Sequence, residues 1–340
     1  MTELLTFTDR GIYCAQGDFF IDPWKPVDYA VITHAHSDHA RFGSRYYLAH
    51  DKSEEILKLR LGADIKLDTI AYGKTVRRNG VEITLFPAGH IYGSAQVRVT
   101  YKGETWVVSG DYKTESDGFS GDFEPVKCHT FITESTFGLP VFQWRPQAEI
   151  MEDINQWWRS NQAEGKTSIL TAYALGKAQR LIAAVDSGIG DIYVHGAVAN
   201  VNEALERNGA ILPRTIRVTP EIDRKSYPGS LVITPASGLG TSWIKKFSPF
   251  ETAMVSGWMQ IRGMKRRRAV QRGFIMSDHA DWEGLNAAVD ATGAERVFVT
   301  HGYQSVFSRY LTEKGYDARE VITEYEGELP TLDTSNSDAE

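Results

Sequence analysis

The sequence predicts an α/β protein of two domains, one inserted into the other. Three observations carry this reading. Short β-branched or aromatic runs toward both ends of the chain each finish in a histidine or an acid. In the middle, strand-like runs alternate with helical stretches. And 340 residues are enough to bury more than one core.

The runs come in order. "YAVIT" leads to His34, "VEITLFPAG" to His90, "TWVVSG" to Asp111, "TFIT" to Glu134, "GFIMSD" to His279 and "RVFVT" to His301. Their length and composition read as buried strands. If those strand ends share one edge, six polar side chains converge there. A histidine after a strand is ordinarily a turn residue or a hydrogen-bonded core residue. Yet of nine histidines, six lie in this pattern or in the opening motif, which sets them apart as a group.

Between Glu134 and His279 the character changes. "TSILTAYALGKAQRLIAAVD" reads strand, turn, helix. "DIYVHGAVANVNEALERNG" does the same and closes on Asn-Gly, and "SLVITPASGLGTSWIKKF" forms a third unit. Such alternation implies a parallel sheet with flanking helices. We therefore expect an outer domain from 1–142 and 273–330, an inserted α/β domain over 143–272, and a flexible, acidic tail over 331–340.

Composition narrows the function. Hydrophobic residues make up 42% and charged residues 24%, ordinary for a soluble globular protein. No apolar stretch is long enough to span a bilayer, and the N-terminus lacks a secretory pattern, so a cytoplasmic location is expected. Cys14 and Cys128 form no CxxC pair, so any metal is not held by thiolates. A net charge of -7 argues against coating nucleic acid through bulk positive charge, though not against a local basic groove.

The chemistry gathers in "HAHSDH": His34, His36, Asp38 and His39. Divalent ions accept imidazole nitrogen and carboxylate oxygen. His34 and His36 can bind one ion while Asp38 and His39 point at a second. Each ion then needs a distant ligand, and the pair needs a bridge. His90 in "PAGHIYGSA", Asp111 in "VVSGDYK" and His301 in "VTHGY" supply these. Zinc and manganese both suit such ligands.

These motifs resemble the metallo-β-lactamase fold, and the resemblance runs from about Asp22 to His301. Glu134 in "FITESTFG", His279 in "SDHADW" and His301 in "THG" resemble the three signature elements of the β-CASP nucleases within that fold. "VSGWMQIRGMKRRRAVQRGFIMSDHADW" is similar to bacterial DNA ligase-associated exonucleases. The resemblance implies an αββα sandwich carrying an inserted β-CASP α/β domain. It implies two divalent metal ions: one on His34, His36, His90 and Asp111, the other on Asp38, His39, Asp111 and His301, with Asp111 bridging. Asp22 supports the first histidines, and His279, oriented by Glu134, is the candidate acid for the leaving oxygen. The implied function is DNA exonuclease action yielding 5′-phosphate and 3′-hydroxyl products, in DNA repair, on single-stranded DNA or a duplex end. Functional association with an ATP-dependent DNA ligase and a helicase is implied too. Likeness to Apollo-type nucleases leans toward 5′-to-3′ polarity. Those DNA nucleases typically carry an apolar residue where this chain has His301, as RNA-acting members also have histidine. An RNase J-like RNA-processing nuclease is therefore the alternative, and a small-molecule hydrolase of the same fold a second one.

Substrate contacts are sought in three places. Lys177 stands where a helix should begin and suits a phosphate; otherwise it is a cap or a surface lysine. Ser237 and Gly238 in "TPASGLG" can hold a terminal phosphate or form a plain α/β turn. The run Arg262, Lys265, Arg266, Arg267 and Arg268 suits a nucleic-acid backbone, or is a solvated helix face.

Overall fold

The computed structural model describes residues 3–261, 271–321 and 323. The basic run at 262–268 and the tail at 331–340 lie outside the described residues. Two compact units emerge: Met1–Gln143 with Asp278–Leu329, and Trp144–Ser277.

The discontinuous unit holds two sheets. The first runs Thr6–Phe7, Ile12–Cys14, Phe19–Ile21, Tyr29–Val31, Tyr46–His50, Leu67–Ile70. The second runs Asp317–Glu320, Arg296–Thr300, Thr130–Glu134, Glu104–Val108, Ala95–Tyr101, Val81–Pro87, Thr75–Arg78. Two-residue turns at Asn79-Gly80 and Lys102-Gly103 close two of its hairpins, with positive φ at all four residues. That is the backbone a tight hairpin turn requires.

Side-chain alternation divides the second sheet's faces. Ile83, Leu85, Val97, Val99, Trp106 and Val108 share a core with Ile12, Ile21, Val31 and Leu48 of the first sheet. Val107, Phe131, Val297 and Val299 point the other way, into a core with Leu285, Val289, Phe307 and Leu311. Those four lie on the helices Trp282–Thr292 and Gln304–Glu313. Asp281 caps the first of these by accepting from the Gly284 N–H, and Gly293 ends it at φ 66.

Strand direction places the site. Glu104–Val108, Thr130–Glu134 and Arg296–Thr300 are mutually parallel neighbours. Val81–Pro87 is two antiparallel steps from Glu104–Val108 and so runs the same way. Their C-terminal ends therefore open on one edge.

The other unit carries a parallel sheet in the order Ile216–Arg217, Ile192–Val194, Leu231–Thr234, Thr167–Thr171, Phe250–Val255, Arg272–Phe274. Helices Gln147–Ala163, Lys177–Ala184 and Gly196–Arg207 contribute to the core on one face, with Trp157 and Trp158 inside it. Two expectations differ from the structure. After Leu231–Thr234 the chain forms 3₁₀ turns, Ala236–Gly238 and Ser242–Phe247, rather than an α-helix. Pro235, Gly238, Gly240 and Thr241 are poor helix formers, and they break the segment. The strand before His279, Arg272–Phe274, stops well short of it and belongs to this third sheet, not to the sheet that carries His90, Asp111, Glu134 and His301. Among the described residues no helix is long and apolar enough to cross a membrane.

Candidate metal centre

The structure brings the sequence-predicted ligands together in two groups. Ligand atoms of His34, His36, His90 and Asp111 lie within 4.8 Å of one another, and so do those of Asp38, His39 and His301. Asp111 reaches both: its Oδ2 is 3.5 Å from His34 Nε2, 3.6 Å from His39 Nε2 and 3.9 Å from His90 Nε2. Asp38 Oδ2 is 3.7 Å from His39 Nε2. The His39 and His301 rings stack with centroids 5.0 Å apart, nearly parallel.

Around these side chains the backbone is tightly specified. Asp22, at φ 43, accepts from Thr33 N at 2.7 Å and from the Thr33 hydroxyl, and lies 2.7 Å from His39 Nδ1. His301 also sits at positive φ, 56°. A non-glycine residue there costs roughly 1–2 kcal/mol, and such strain concentrates at functional sites. The other three described non-glycine residues with positive φ, Asp18, Asn79 and Lys102, lie in turns. Gly110, between the strand end and Asp111, has φ 56, and a Cβ there would come within 2.6 Å of Thr33 Cβ and Oγ1. Gly110→Ala is therefore expected to lower stability by about 1–3 kcal/mol. Thermal or urea denaturation checks this, and an unchanged midpoint would contradict the packing described.

The donor set fits a divalent ion. His34 Nε2 and Asp111 Oδ1 are buried and make no hydrogen bond among the described residues. Leaving such atoms unsatisfied costs about 1–3 kcal/mol each, which a cation would offset. His90 Nε2 and His36 Nδ1 face each other at 3.1 Å. His90 Nδ1 is 2.8 Å from the Asp278 carbonyl, which can only accept. That bond puts the proton on Nδ1 and leaves Nε2 deprotonated, the form that ligates a metal.

Electrostatics point the same way. Burial, with the neighbouring imidazoles, holds His34 and His90 well below the usual histidine range. Burial, together with His39, does the same to His301. For His39, burial pulls down, but Asp111, Asp38 and Asp22 outweigh it and lift the group to about 10. Burial pushes the Asp111 carboxyl up to about 8. A ligand nitrogen or carboxylate must be bare, so a bound ion has to displace these protons. Metal affinity is expected to fall as pH drops, by roughly tenfold per unit for each proton displaced. Calorimetry in buffers of different ionisation enthalpy measures the protons released, and pH-independent binding without release would contradict the assignment.

Glu134 and His279 form a hydrogen-bonded pair that adjoins the first group: both cluster with Asp111, and His279 clusters with His90 too, within 4.8 Å. His279 Nδ1 lies 2.8 Å from Glu134 Oε2 and 3.0 Å from Oε1. Glu134 Oε1 also accepts from Tyr112 N at 2.7 Å, and Ala280 N donates to Tyr112 O at 2.7 Å. Both side chains are buried, and the His279 ring is 4.6 Å from that of His90. Burial pulls His279 down, but Glu134, then Asp111 and Asp278, raise it to about 10.

The remaining candidates lie in the other unit. Lys177 opens the helix Lys177–Ala184 as expected, but its side chain is buried and not presented to solvent, with Nζ 4.9 Å from the Tyr173 ring centroid. Ser237 is exposed in the turn Ala236–Gly238. Gly238 is buried, and a Cβ there would meet Thr234 Oγ1 at 2.3 Å. Sequence reasoning missed Thr33, Thr300, Tyr112 and Asp278 as supports. His50, His129 and His195 serve locally: Lys52 N, Thr105 N and Ala197 N donate to their Nδ1 atoms.

Comparison with known proteins joins these observations. A protein described as "Probable DNA ligase" from Opitutus terrae is 28% identical over 312 residues, 91% of this chain and 30% of that protein. "Endoribonuclease YSH1" of Saccharomyces cerevisiae is 32% identical over 123 residues, 36% of this chain and 16% of the relative. "Cleavage and polyadenylation specificity factor subunit 3" of Dictyostelium discoideum is 26% identical over 196 residues, 47% of this chain and 25% of the relative. The chain is homologous to the β-CASP nucleases. It spans less than a third of the length of each of these curated relatives. No known family profile matches it. A crystal structure of a protein of unknown function from Enterococcus faecalis V583 shares the fold, with a TM-score of 0.60 at 11% identity over 87% of this chain and 79% of that one.

Proposed function

We propose that this β-CASP homologue is a divalent-metal-dependent DNA exonuclease of the metallo-β-lactamase fold. In this reading the sheets sharing a core form the αββα sandwich, and Trp144–Ser277 is the inserted β-CASP domain. One observation carries the proposal: two histidine–aspartate groups meet at Asp111 beside the buried Glu134–His279 pair. His34, His36, His90 and Asp111 would hold one ion, and Asp38, His39, Asp111 and His301 the other. When bound, zinc or manganese ions supply Lewis acidity and lower the pKa of water to about 7.

The chain's own groups do the rest. Asp22 holds His39 and the Thr33 backbone, keeping the motif in shape. Glu134 accepts from His279 Nδ1 and favours the imidazolium. His279 Nε2 then carries a proton at neutral pH and can deliver it to the leaving 3′-oxygen of the scissile phosphodiester, leaving a 5′-phosphate on the other product. Ser237 and Gly238 are proposed to hold a terminal phosphate. A buried Lys177 acts through its charge at a helix start more than as a surface contact.

DNA is favoured because the relative named for a DNA ligase aligns with 91% of the chain. A repair role with a ligase and a helicase, 5′-to-3′ polarity and a cytoplasmic location belong to the same reading. RNA processing is the second reading, supported by His301 and by relatives named endoribonucleases. A digest of matched single-stranded DNA and RNA, labelled at either end with the other blocked, across several metals, tests both. Stepwise loss from one end of DNA supports the proposal; preferential RNA cleavage favours the alternative, and inert protein refutes both.

A further inference from the structure

Glu134 and Ser135 are consecutive at the end of Thr130–Glu134, where successive side chains leave opposite faces. Glu134 takes His279. Ser135 turns to the loop carrying His301. Its buried hydroxyl donates to the carbonyl oxygens of Thr300, at 3.2 Å, and His301. Its own carbonyl accepts from Tyr303 N and Gly138 N, each at 2.9 Å.

The segment so held is unusual. His301 and Gly302 are both left-handed, at φ 56 and 62. A Cβ at Gly302 would lie 2.3 Å from Ser135 O and 2.5 Å from Thr136 Cα. The turn is therefore pressed onto the Ser135 peptide on one side and tied by its hydroxyl on the other. Thr300 Oγ1 donates to Thr133 O at 3.1 Å, so it accepts from His301 Nδ1, also at 3.1 Å. This directs the bare Nε2 toward Asp38 and His39, with which it groups.

We propose that Ser135 is a positioning residue, which holds the left-handed His301 backbone and so sets His301 as a ligand of the second ion. The inference rests on the two-ion reading above. Glu134 and Ser135 then divide one strand end between the proton donor and the second ion.

The test is metal titration of the full chain with zinc and with manganese, followed by calorimetry and by elemental analysis after desalting. Ser135→Ala is expected to weaken the second ion about 10–100-fold and leave the first unchanged. In a His301→Ala background, Ser135→Ala should add nothing, because the two act as one unit. Ser135→Cys keeps the volume with a weaker donor, should show an intermediate loss, and covers failure of the alanine variant to fold. Second-ion affinity unchanged in any folded Ser135 variant, or additive loss with His301→Ala, overturns the proposal. Wild-type protein that binds one ion or none instead overturns the two-ion reading, which separates the two failures.

Discussion

Asp38→Asn is expected to lower turnover by about 10³-fold or more while the protein stays folded. Asp38 lies partly exposed at the rim of the second ligand group, 3.7 Å from His39 Nε2. Asparagine keeps its shape and removes its charge, so the packing that defines the fold is untouched, and stability should move by no more than about 0.5 kcal/mol. The cation's charge stabilisation of a transition state is several kcal/mol, and about 1.4 kcal/mol is tenfold in rate. The check is nuclease rate together with melting temperature and metal content. A variant that keeps near-normal activity, or that unfolds, contradicts the role given to Asp38.

His279→Ala should give the second large effect, a rate loss of about 10²–10⁴-fold with metal content intact. His279 hydrogen-bonds Glu134 and lies near Asp111 and His90, but it is a member of neither proposed ligand set, so removing it leaves both sets whole. If the variant loses metal, His279 is a ligand and its assignment as acid is wrong. Glu134→Gln separates charge from position. Burial depresses His279 and the Glu134 carboxylate counters it, so glutamine lowers the imidazolium's pKa. The donor is then lost at lower pH than in the wild type, and the alkaline limb of the pH–rate profile should move down in pH. An unmoved limb would remove His279 from the proton transfer.

The candidate ligands were legible because such chemistry requires particular side chains at strand ends, and both leave marks in sequence. His34, His36, Asp38 and His39 declare themselves by spacing; His90, Asp111 and His301 by following apolar runs. Their supports left no such marks. The Asp278 carbonyl that fixes the His90 tautomer and the Tyr112 amide that grips Glu134 are backbone groups, which any residue carries. Burial of Lys177 also escaped notice, because a lysine at a helix start reads as exposed until the packing around it is known. Likewise, "GFIM" has strand composition whichever sheet it joins, and only its pairing with Phe250–Val255 assigns Arg272–Phe274 to the third sheet.

The most direct test of the central claim is elemental analysis of the purified protein, before and after chelation and resupply of zinc or manganese, paired with a nuclease assay. About two ions per chain, activity lost with them and regained on their return, is the predicted result. Protein that carries only trace divalent ion and stays inert when resupplied would contradict it.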